Sequence, residues 1–284
     1  MVWFRHAASL LSAVVLLSAA PAAHAQSSSG QVQISYDVPT DAQFQPIYQD
    51  LKRRQVLERL QGFLSPLHLP KKLTVRTSQC GAMGIPYQSG APVTICYELV
   101  KHIIDIARQN AKDPDKQALI IYGTFVETAL HHIAYAVFDL LNVPILGRED
   151  DAADRVAAFT MMQFGDKVAY TAIVGTGTFF QYSKQSWTGS DFASERSPAA
   201  QRFYNYLCIA YGGDPLTFQF LAPRPGPSDF PKLSEERAPR CAREYLQVRH
   251  AFNLRIMPYV DPAALIKVRA SQWLNSDEIT AGVK

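Results

Sequence analysis

Residues 130–139 read Leu-His-His-Ile-Ala-Tyr-Ala-Val-Phe-Asp and lie within a long apolar segment, Lys116 to Leu141. The segment predicts a long helix, and the sequence Asn142-Val-Pro144 ends it because proline cannot continue a helix. A helix of this length and composition should be central to the fold, with the other elements packed around it.

A polar stripe runs along this predicted helix. Residues three and four apart share a helix face, so Glu127, His131 and Tyr135 should lie in line, with His132 about 100° further round. The zinc-peptidase motif H-E-x-x-H uses the same spacing: its two histidines bind zinc, and its glutamate polarises the attacking water. Here His131 occupies the first ligand position, His132 the general-base position and Tyr135 the second ligand position. Two of the three residues that this chemistry needs are therefore replaced.

An acidic segment follows the predicted helix. Residues 147–154 read Gly-Arg-Glu-Asp-Asp-Ala-Ala-Asp and begin a second predicted helix, Glu149 to Phe164. Asp150 and Asp154 lie one turn apart on it. In zinc peptidases of the thermolysin type this helix supplies a carboxylate ligand, and an acidic residue one turn later orients a histidine. Asp150 is thus a candidate metal ligand, and Asp154 a candidate to orient a histidine.

Each of these residues also has a structural interpretation. A histidine on an apolar helix is more often a hydrogen-bonded core residue than a ligand, so His131 alone does not establish a metal site. Tyr135 is most simply a core aromatic residue with a satisfied hydroxyl group. The acidic run Glu149–Asp151 suits the positive end of a helix. Glu127, four residues before His131, is positioned to hold the imidazole ring under either interpretation.

The segment from His131 to Asp154 resembles a family of exported bacterial proteins classed as zinc metallopeptidases. In that family the segment begins with an intact H-E-x-x-H and later reads approximately G-R-E-E-D-A-x-D. Together with three further stretches, the resemblance covers about residues 75–250. These stretches are Ile95-Cys-Tyr-Glu98, Gln201-Arg-Phe-Tyr-Asn-Tyr-Leu-Cys208 before Tyr211-Gly212, and Arg237-Ala-Pro-Arg-Cys241 before Glu244-Tyr245. The resemblance implies a zincin-like domain and descent from zinc-dependent peptidases.

The resemblance also implies a degenerate site. It aligns His131, Tyr135 and Asp150 with the metal ligands and His132 with the general base. Tyrosine binds zinc only as a phenolate or as a weak neutral donor, starting from a pKa of ~10. We therefore expect zinc to be lost or weakly held, and peptidase activity to be absent or very low. In the segment Ser194-Glu-Arg-Ser197, Arg196 replaces a histidine of the family pattern.

The first 25 residues have the pattern of a secretory signal peptide. The polar head Arg5-His6 precedes an uncharged apolar run from Ala7 to Ala20, and Ala23-His24-Ala25 forms a small-x-small cleavage site. The apolar run is shorter than the ~20 residues that a membrane span needs. We expect cleavage near Ala25 and a soluble protein, exported to the periplasm or the medium, with residues 26–284 forming one domain.

The charge balance of the mature chain is close to neutral. Without Arg5, the 28 Lys and Arg residues become 27, against 25 Asp and Glu residues. This balance provides no electrostatic argument for a nucleic-acid partner or an anionic membrane surface.

Four cysteines in an exported chain favour disulfide bonds. Three pairings are open, and we expect the one that closes the shortest loops; no CxxC pair supports a zinc site among them. The expected bonds are Cys80–Cys96 and Cys208–Cys241.

The remaining pattern predicts an α+β fold, mainly helical with a small N-terminal sheet; an almost purely helical domain is the alternative. Alternation predicts a strand at Val32–Val38, and apolar spacing predicts one helix from Asp41 to Leu64. Strands at Leu73–Arg76 and Val93–Tyr97 should pair as an irregular hairpin joined by the first disulfide. Further helices are predicted at Glu98–Asn110, Lys167–Tyr182, Pro198–Tyr211 and Glu235–Val248, followed by a weakly patterned tail.

Three functions remain open at this point. The chain is a pseudoenzyme that binds a peptide or protein in the former cleft, an active hydrolase with an altered metal set, or an envelope interaction protein without a cleft function. The altered set would combine His131 and Asp150 with Glu127 or Tyr135. A polar cleft over His131 beside an exposed strand edge would favour the first over the third.

Overall fold

The computed structural model describes residues 31–183, 193–223 and 230–270. Within these residues a body of helices packs beside one three-stranded sheet near the N-terminus. The prediction of a mainly helical α+β fold with a small N-terminal sheet is confirmed. The predicted signal peptide, residues 1–25, lies outside the described residues.

The sheet consists of β1 (Val32–Tyr36), β2 (Leu73–Ser78) and β3 (Val93–Cys96), in the order β1-β2-β3. Both pairs of strands are parallel. The prediction that β2 and β3 form a hairpin is therefore wrong, because a hairpin needs antiparallel strands. The connecting segment, residues 79–92, is long enough for the crossover that parallel strands require. Ser78 lies opposite Cys96, so the carboxyl ends of β2 and β3 are adjacent.

The predicted helix at 41–64 is divided into two. A short 3₁₀ turn at Ala42–Phe44 leads into α1 (Gln45–Arg53), and α2 (Val56–Leu64) follows. Gln55, between the two helices, has a φ of 51°, a left-handed conformation that a continuous helix cannot contain. The apolar spacing of the segment did not reveal this break, because both helices bury Leu and Ile residues at similar intervals.

Seven further helices make up the body of the protein in the described residues. They are α3 (Tyr97–Asn110), α4 (Pro114–Leu140), α5 (Glu149–Met161), α6 (Asp166–Tyr182), α7 (Ala199–Gly213), α8 (Ala238–Arg255) and α9 (Pro262–Ala270). Helices α8 and α9 extend into the tail that the sequence left without a clear pattern. Among the described residues no helix is long and apolar enough to cross a membrane.

Helix α4 is the centre of the body and carries the polar stripe. Asp113 caps it by accepting a hydrogen bond from the backbone N–H of Asp115. It crosses α6 where Gly123 faces Gly175: a Cβ added to Gly175 would lie 2.0 Å from the carbonyl oxygen of Leu119. Gly123 and Gly175 thus allow the close packing of the two helices.

Two disulfide bonds join neighbouring elements, and they are the expected ones. Cys80–Cys96 links the carboxyl ends of β2 and β3, and Cys208–Cys241 links α7 to α8. Both pairings are confirmed. The second bond holds α8, which would otherwise bury few of its side chains, against the core helix α7.

Candidate active site

His131 lies between two aspartates of helix α5. Its Nδ1 is 2.7 Å from Asp154 Oδ1, and its Nε2 is 3.3 Å from Asp150 Oδ1. His131 and Asp154 are each only 1% exposed. The contact at Nε2 is an ion pair whose geometry is not that of a hydrogen bond. In the described part of the chain, neither Nε2 of His131 nor Oδ2 of Asp150 has a hydrogen-bond partner.

Two further groups reach the carboxylate of Asp150. The hydroxyl group of Tyr135 donates a hydrogen bond of 2.7 Å to Oδ1, and Arg196 Nε approaches the same oxygen at 3.4 Å. The rings of His131 and Tyr135 meet edge to face, with centroids 5.2 Å apart. The structure thus brings together the three residues at the family's ligand positions, His131, Tyr135 and Asp150, and adds the guanidinium group of Arg196.

On the other side of His131, Arg202 forms the centre of a buried ionic network. It donates to both carboxylate oxygens of Asp154, at 2.7 and 2.6 Å, and to Glu127 at 2.9 Å. Tyr206, one turn along α7, donates to Glu127 at 2.7 Å. The imidazole Nδ1–H of His131 donates to Asp154 and not to Glu127, which is instead held by Arg202 and Tyr206.

The network shifts the pKa values of its members towards a charge-paired state. Burial opposes protonation of His131, but the two aspartates outweigh it and raise the pKa of the imidazole. Burial also opposes ionisation of both aspartates, yet His131 and Arg196 keep the pKa of Asp150 below its usual range, and Arg202 and His131 do the same for Asp154. Burial and the hydrogen bond to Asp150 raise the pKa of Tyr135 far above that of free tyrosine, so its hydroxyl group keeps its proton.

The ring of His132, at the position of the general base, meets that of His131 edge to face with centroids 5.3 Å apart, but its hydrogen bond goes elsewhere. Its Nδ1 is 2.8 Å from the carbonyl oxygen of Thr128, which can only accept, so Nδ1 carries the proton. Burial, and then the charge of His131, lower the pKa of His132 to about 4. The side chain lines a small cavity of about 220 Å³ together with Arg76, Val93 and Thr94. His132 is therefore neutral near pH 7 and, unlike the glutamate of the motif, carries no negative charge.

Comparison with known proteins identifies the family. Residues 36–254 match the model of the DUF4344 family, described as "Putative metallopeptidase". The chain belongs to this family. No curated protein and no solved structure matches it. In this metallopeptidase-family chain the matched segment includes both disulfide bonds and every member of the ionic network.

Membership of the family implies a metal, and the residues at the implied position do not fit a catalytic zinc ion. The unpartnered Nε2 of His131 and Oδ2 of Asp150 are two suitable donors. Catalytic zinc sites have three protein ligands besides water. The third position holds Tyr135, whose protonated hydroxyl group already donates to Asp150, and the guanidinium of Arg196 places a positive charge against the same carboxylate.

A second group of residues, Glu127, His131 and Asp154, has donor atoms within 4.8 Å of one another. Arg202 already occupies the position of a cation there, because its guanidinium group touches both carboxylates. A divalent ion would have to displace Arg202 or lie against its positive charge. This group is therefore a complete ion-pair network in which the guanidinium takes the place of a metal.

Arg202 and Tyr206 are the site residues that sequence reasoning missed. Both lie in the stretch Gln201–Cys208, for which the sequence predicted a helix and a family resemblance but no site residue. A sequence signal did exist: an arginine four residues before a tyrosine on an apolar helix, with no acidic residue on the same helix. A buried arginine must find carboxylates, but the sequence does not tell which ones.

Proposed function

We propose that this protein is an exported member of the metallopeptidase family that has lost catalytic zinc and peptidase activity. The observation that carries the proposal is the state of Asp150: Tyr135, Arg196 and His131 surround the carboxylate that would bind the metal. The charges support the same conclusion. Three carboxylates, Glu127 and the two aspartates, are balanced by two arginines and protonated His131 without any metal ion.

The general base is the second argument against peptide hydrolysis. A zinc peptidase needs a carboxylate beside the metal-bound water, to accept a proton and to stabilise the cation. His132 is neutral, has a pKa of about 4, and directs Nδ1 to its own helix backbone. It does not supply the negative charge of a glutamate.

We propose that the protein retains the ability to bind a peptide or a protein. The support is the cavity beside His132, which is lined by Val93 and Thr94 of β3, the last strand in the order of the sheet. An extended peptide could pair with the edge of this strand by β-strand addition. The paired disulfides and the N-terminal sequence support export as the setting.

A metal-dependent hydrolase with an altered ligand set is the second candidate. One observation favours it: Nε2 of His131 and Oδ2 of Asp150 are buried and have no hydrogen-bond partner among the residues that the structure describes. A metal ion bound by these two atoms and Tyr135 would satisfy both.

Metal analysis and peptide hydrolysis distinguish the two candidates. The mature protein is purified without added metal, its zinc content is measured by mass spectrometry, and hydrolysis of casein and a mixed peptide library is followed with and without chelator. We expect well under one equivalent of zinc and no chelator-sensitive hydrolysis. One equivalent of zinc together with hydrolysis that a chelator abolishes would establish the second candidate and overturn the first.

A further inference from the structure

A large cavity lies against a different face of α4 from the ionic network. It has a volume of about 760 Å³, is partly open to solvent and is lined by residues of α2, α4, α5, α6, α8 and α9. Cavities of ~300–1,000 Å³ are the usual size for small-molecule sites. We propose that this cavity binds a single-chain amphipathic carboxylate of the fatty-acid class. The proposal does not depend on the function proposed above.

The walls of the cavity are apolar and aromatic. Helix α4 contributes Leu130, Ile133 and Val137, and the facing wall is formed by Phe159 of α5 and Phe252 of α8. The two phenylalanine rings meet with centroids 4.9 Å apart. No carboxylate lies among these wall residues, so the interior suits an alkyl chain.

Several aromatic side chains around the cavity are only partly covered by protein. Phe63 and Phe164 contact each other edge to face at 4.8 Å and, like Phe252, are neither buried nor fully exposed. Apolar surface of this kind next to an open cavity is costly in water and is typical of a ligand site. An alkyl chain in the cavity would cover these rings.

The charged residues around the cavity favour a ligand with a negatively charged head group. Lys167, Arg249 and Arg269 line it, against one acidic residue, Asp166. Arg269 is oriented by a hydrogen bond of 2.9 Å from Nη2 to the side-chain oxygen of Gln163, another lining residue. A carboxylate head group at this side would meet an excess of positive charge, whereas a quaternary ammonium group would be repelled.

The last wall of the cavity belongs to the C-terminal part of this chain. Leu265 of α9 lines the cavity, beyond the segment that matches the family, 36–254. This wall is attached to the segment after α2 by backbone hydrogen bonds: His68 N–H donates to Tyr259 at 2.7 Å, and Asp261 N–H donates to Pro66 at 2.8 Å. Part of the cavity wall therefore comes from residues outside the family match.

Binding is tested on the mature, disulfide-intact protein by calorimetry with free alkyl carboxylates of 8 to 16 carbons, below their micelle concentrations. The expected result is an affinity that rises about fourfold per added CH₂ and then reaches a plateau when the cavity is full. The alcohol and the trimethylammonium compound of equal chain length should bind roughly fivefold more weakly. Anionic phospholipid vesicles form a separate arm.

Matched variants locate the site. Leu265→Glu places a charge against the apolar wall and should weaken binding roughly tenfold or more. Ile266→Glu, on the neighbouring residue that is 69% exposed and does not line the cavity, should leave it unchanged. Arg249→Gln should reduce the preference for carboxylate over alcohol, whereas Arg243→Gln on the same helix should not.

Three results would overturn the proposal. The first is the absence of carboxylate binding by a protein that circular dichroism shows to be folded. The second is equal loss in Leu265→Glu and Ile266→Glu. The third is binding to vesicles without binding of the free carboxylates, which would indicate a membrane surface instead of an enclosed chain. None of these results bears on zinc or peptidase activity.

Discussion

The guanidinium group of Arg202 and the carboxylate of Asp154 form a two-point contact inside the protein, with Nε–Oδ2 at 2.7 Å and Nη2–Oδ1 at 2.6 Å. Arg202 is 6% exposed and also stacks on Phe180, with its central carbon 4.5 Å from the ring centroid. Asp154 in turn orients His131. This contact therefore connects α7 to α5 and, through the histidine, to α4.

Replacement of Arg202 by methionine should strongly destabilise the fold. The substitution leaves two buried carboxylates, Asp154 and Glu127, without a counter-charge, and the free energy of unfolding should fall by about 3–5 kcal/mol. Urea unfolding of the disulfide-intact protein at pH 7 measures this loss. Arg196→Met is the matched control: its side chain is 56% exposed, and the expected loss is below about 1 kcal/mol. Similar losses in the two variants would contradict the buried network.

The two adjacent histidines should give stability a maximum near pH 6.5. The folded-state pKa of His132 is about 4, against ~6.5 in the unfolded chain. Between these values only the unfolded chain binds the proton, so the free energy of unfolding rises with pH. The folded-state pKa of His131 is raised. The stabilisation that protonated His131 gives to the fold is complete below about pH 6.5, and it is lost as the pH rises through the folded-state pKa.

Unfolding titrations in chelator between pH 4 and 9 test these two slopes. His132→Gln should remove the rise on the acid side and leave the alkaline side intact. His131→Gln should lower stability overall and remove the decline on the alkaline side. If the free energy of unfolding of His131→Gln still falls equally steeply on the alkaline side, another group causes that decline.

The helical body was predictable from the sequence because its signals are local. The apolar segment containing His131, the prolines and glycines that end helices, and the acidic first turn of Glu149–Asp151 all act within a few residues. The disulfide pairing was also predictable, because both bonds close short loops. Strand direction was not, since the segment 79–92 is long enough for either a hairpin or a crossover.

The candidate site was predictable only in part, for a related reason. Helical spacing and the family pattern brought His131, Tyr135, Asp150 and Asp154 under consideration, and the structure places them together. The partners from α7 depend on how helices pack, which no spacing within one helix reveals. Arg202 could be expected to need a carboxylate, yet only the folded chain shows that it pairs with Asp154 and Glu127, beside His131.

The crossing of α4 and α6 should not tolerate any side chain at Gly175. A Cβ there would lie 2.0 Å from the carbonyl oxygen of Leu119, so the helices must separate. Gly175→Ala should therefore lower the free energy of unfolding by about 1–3 kcal/mol, measured by urea unfolding. Gly62→Ala in α2 is the control with the opposite sign: nothing lies within 4 Å, and alanine should stabilise the helix by about 0.5–1 kcal/mol. A neutral effect at Gly175 would exclude the close crossing.

Restoring the peptidase residues should create a zinc site in this chain. Two ligands at ~2.0–2.1 Å from a tetrahedral zinc ion lie roughly 3.3–3.4 Å apart, and Nε2 of His131 is 3.3 Å from Asp150 Oδ1, the oxygen to which Tyr135 now donates. The spacing of these two donors is thus suitable, and the site lacks a third ligand. The double variant His132→Glu, Tyr135→His supplies a second imidazole and removes the hydroxyl group that occupies Asp150.

We expect the double variant to bind close to one equivalent of zinc by mass spectrometry and to gain thermal stability when zinc is added. Tyr135→Phe is the control, because it frees Asp150 without adding a donor, and it should bind no more zinc than the wild-type protein. Peptide hydrolysis by the double variant would show that the remaining cleft still positions a substrate. A folded double variant that binds no zinc would mean that residues beyond positions 132 and 135 exclude the metal, with Arg196 as the first to replace. Equal zinc in the wild-type protein would contradict the metal-free site.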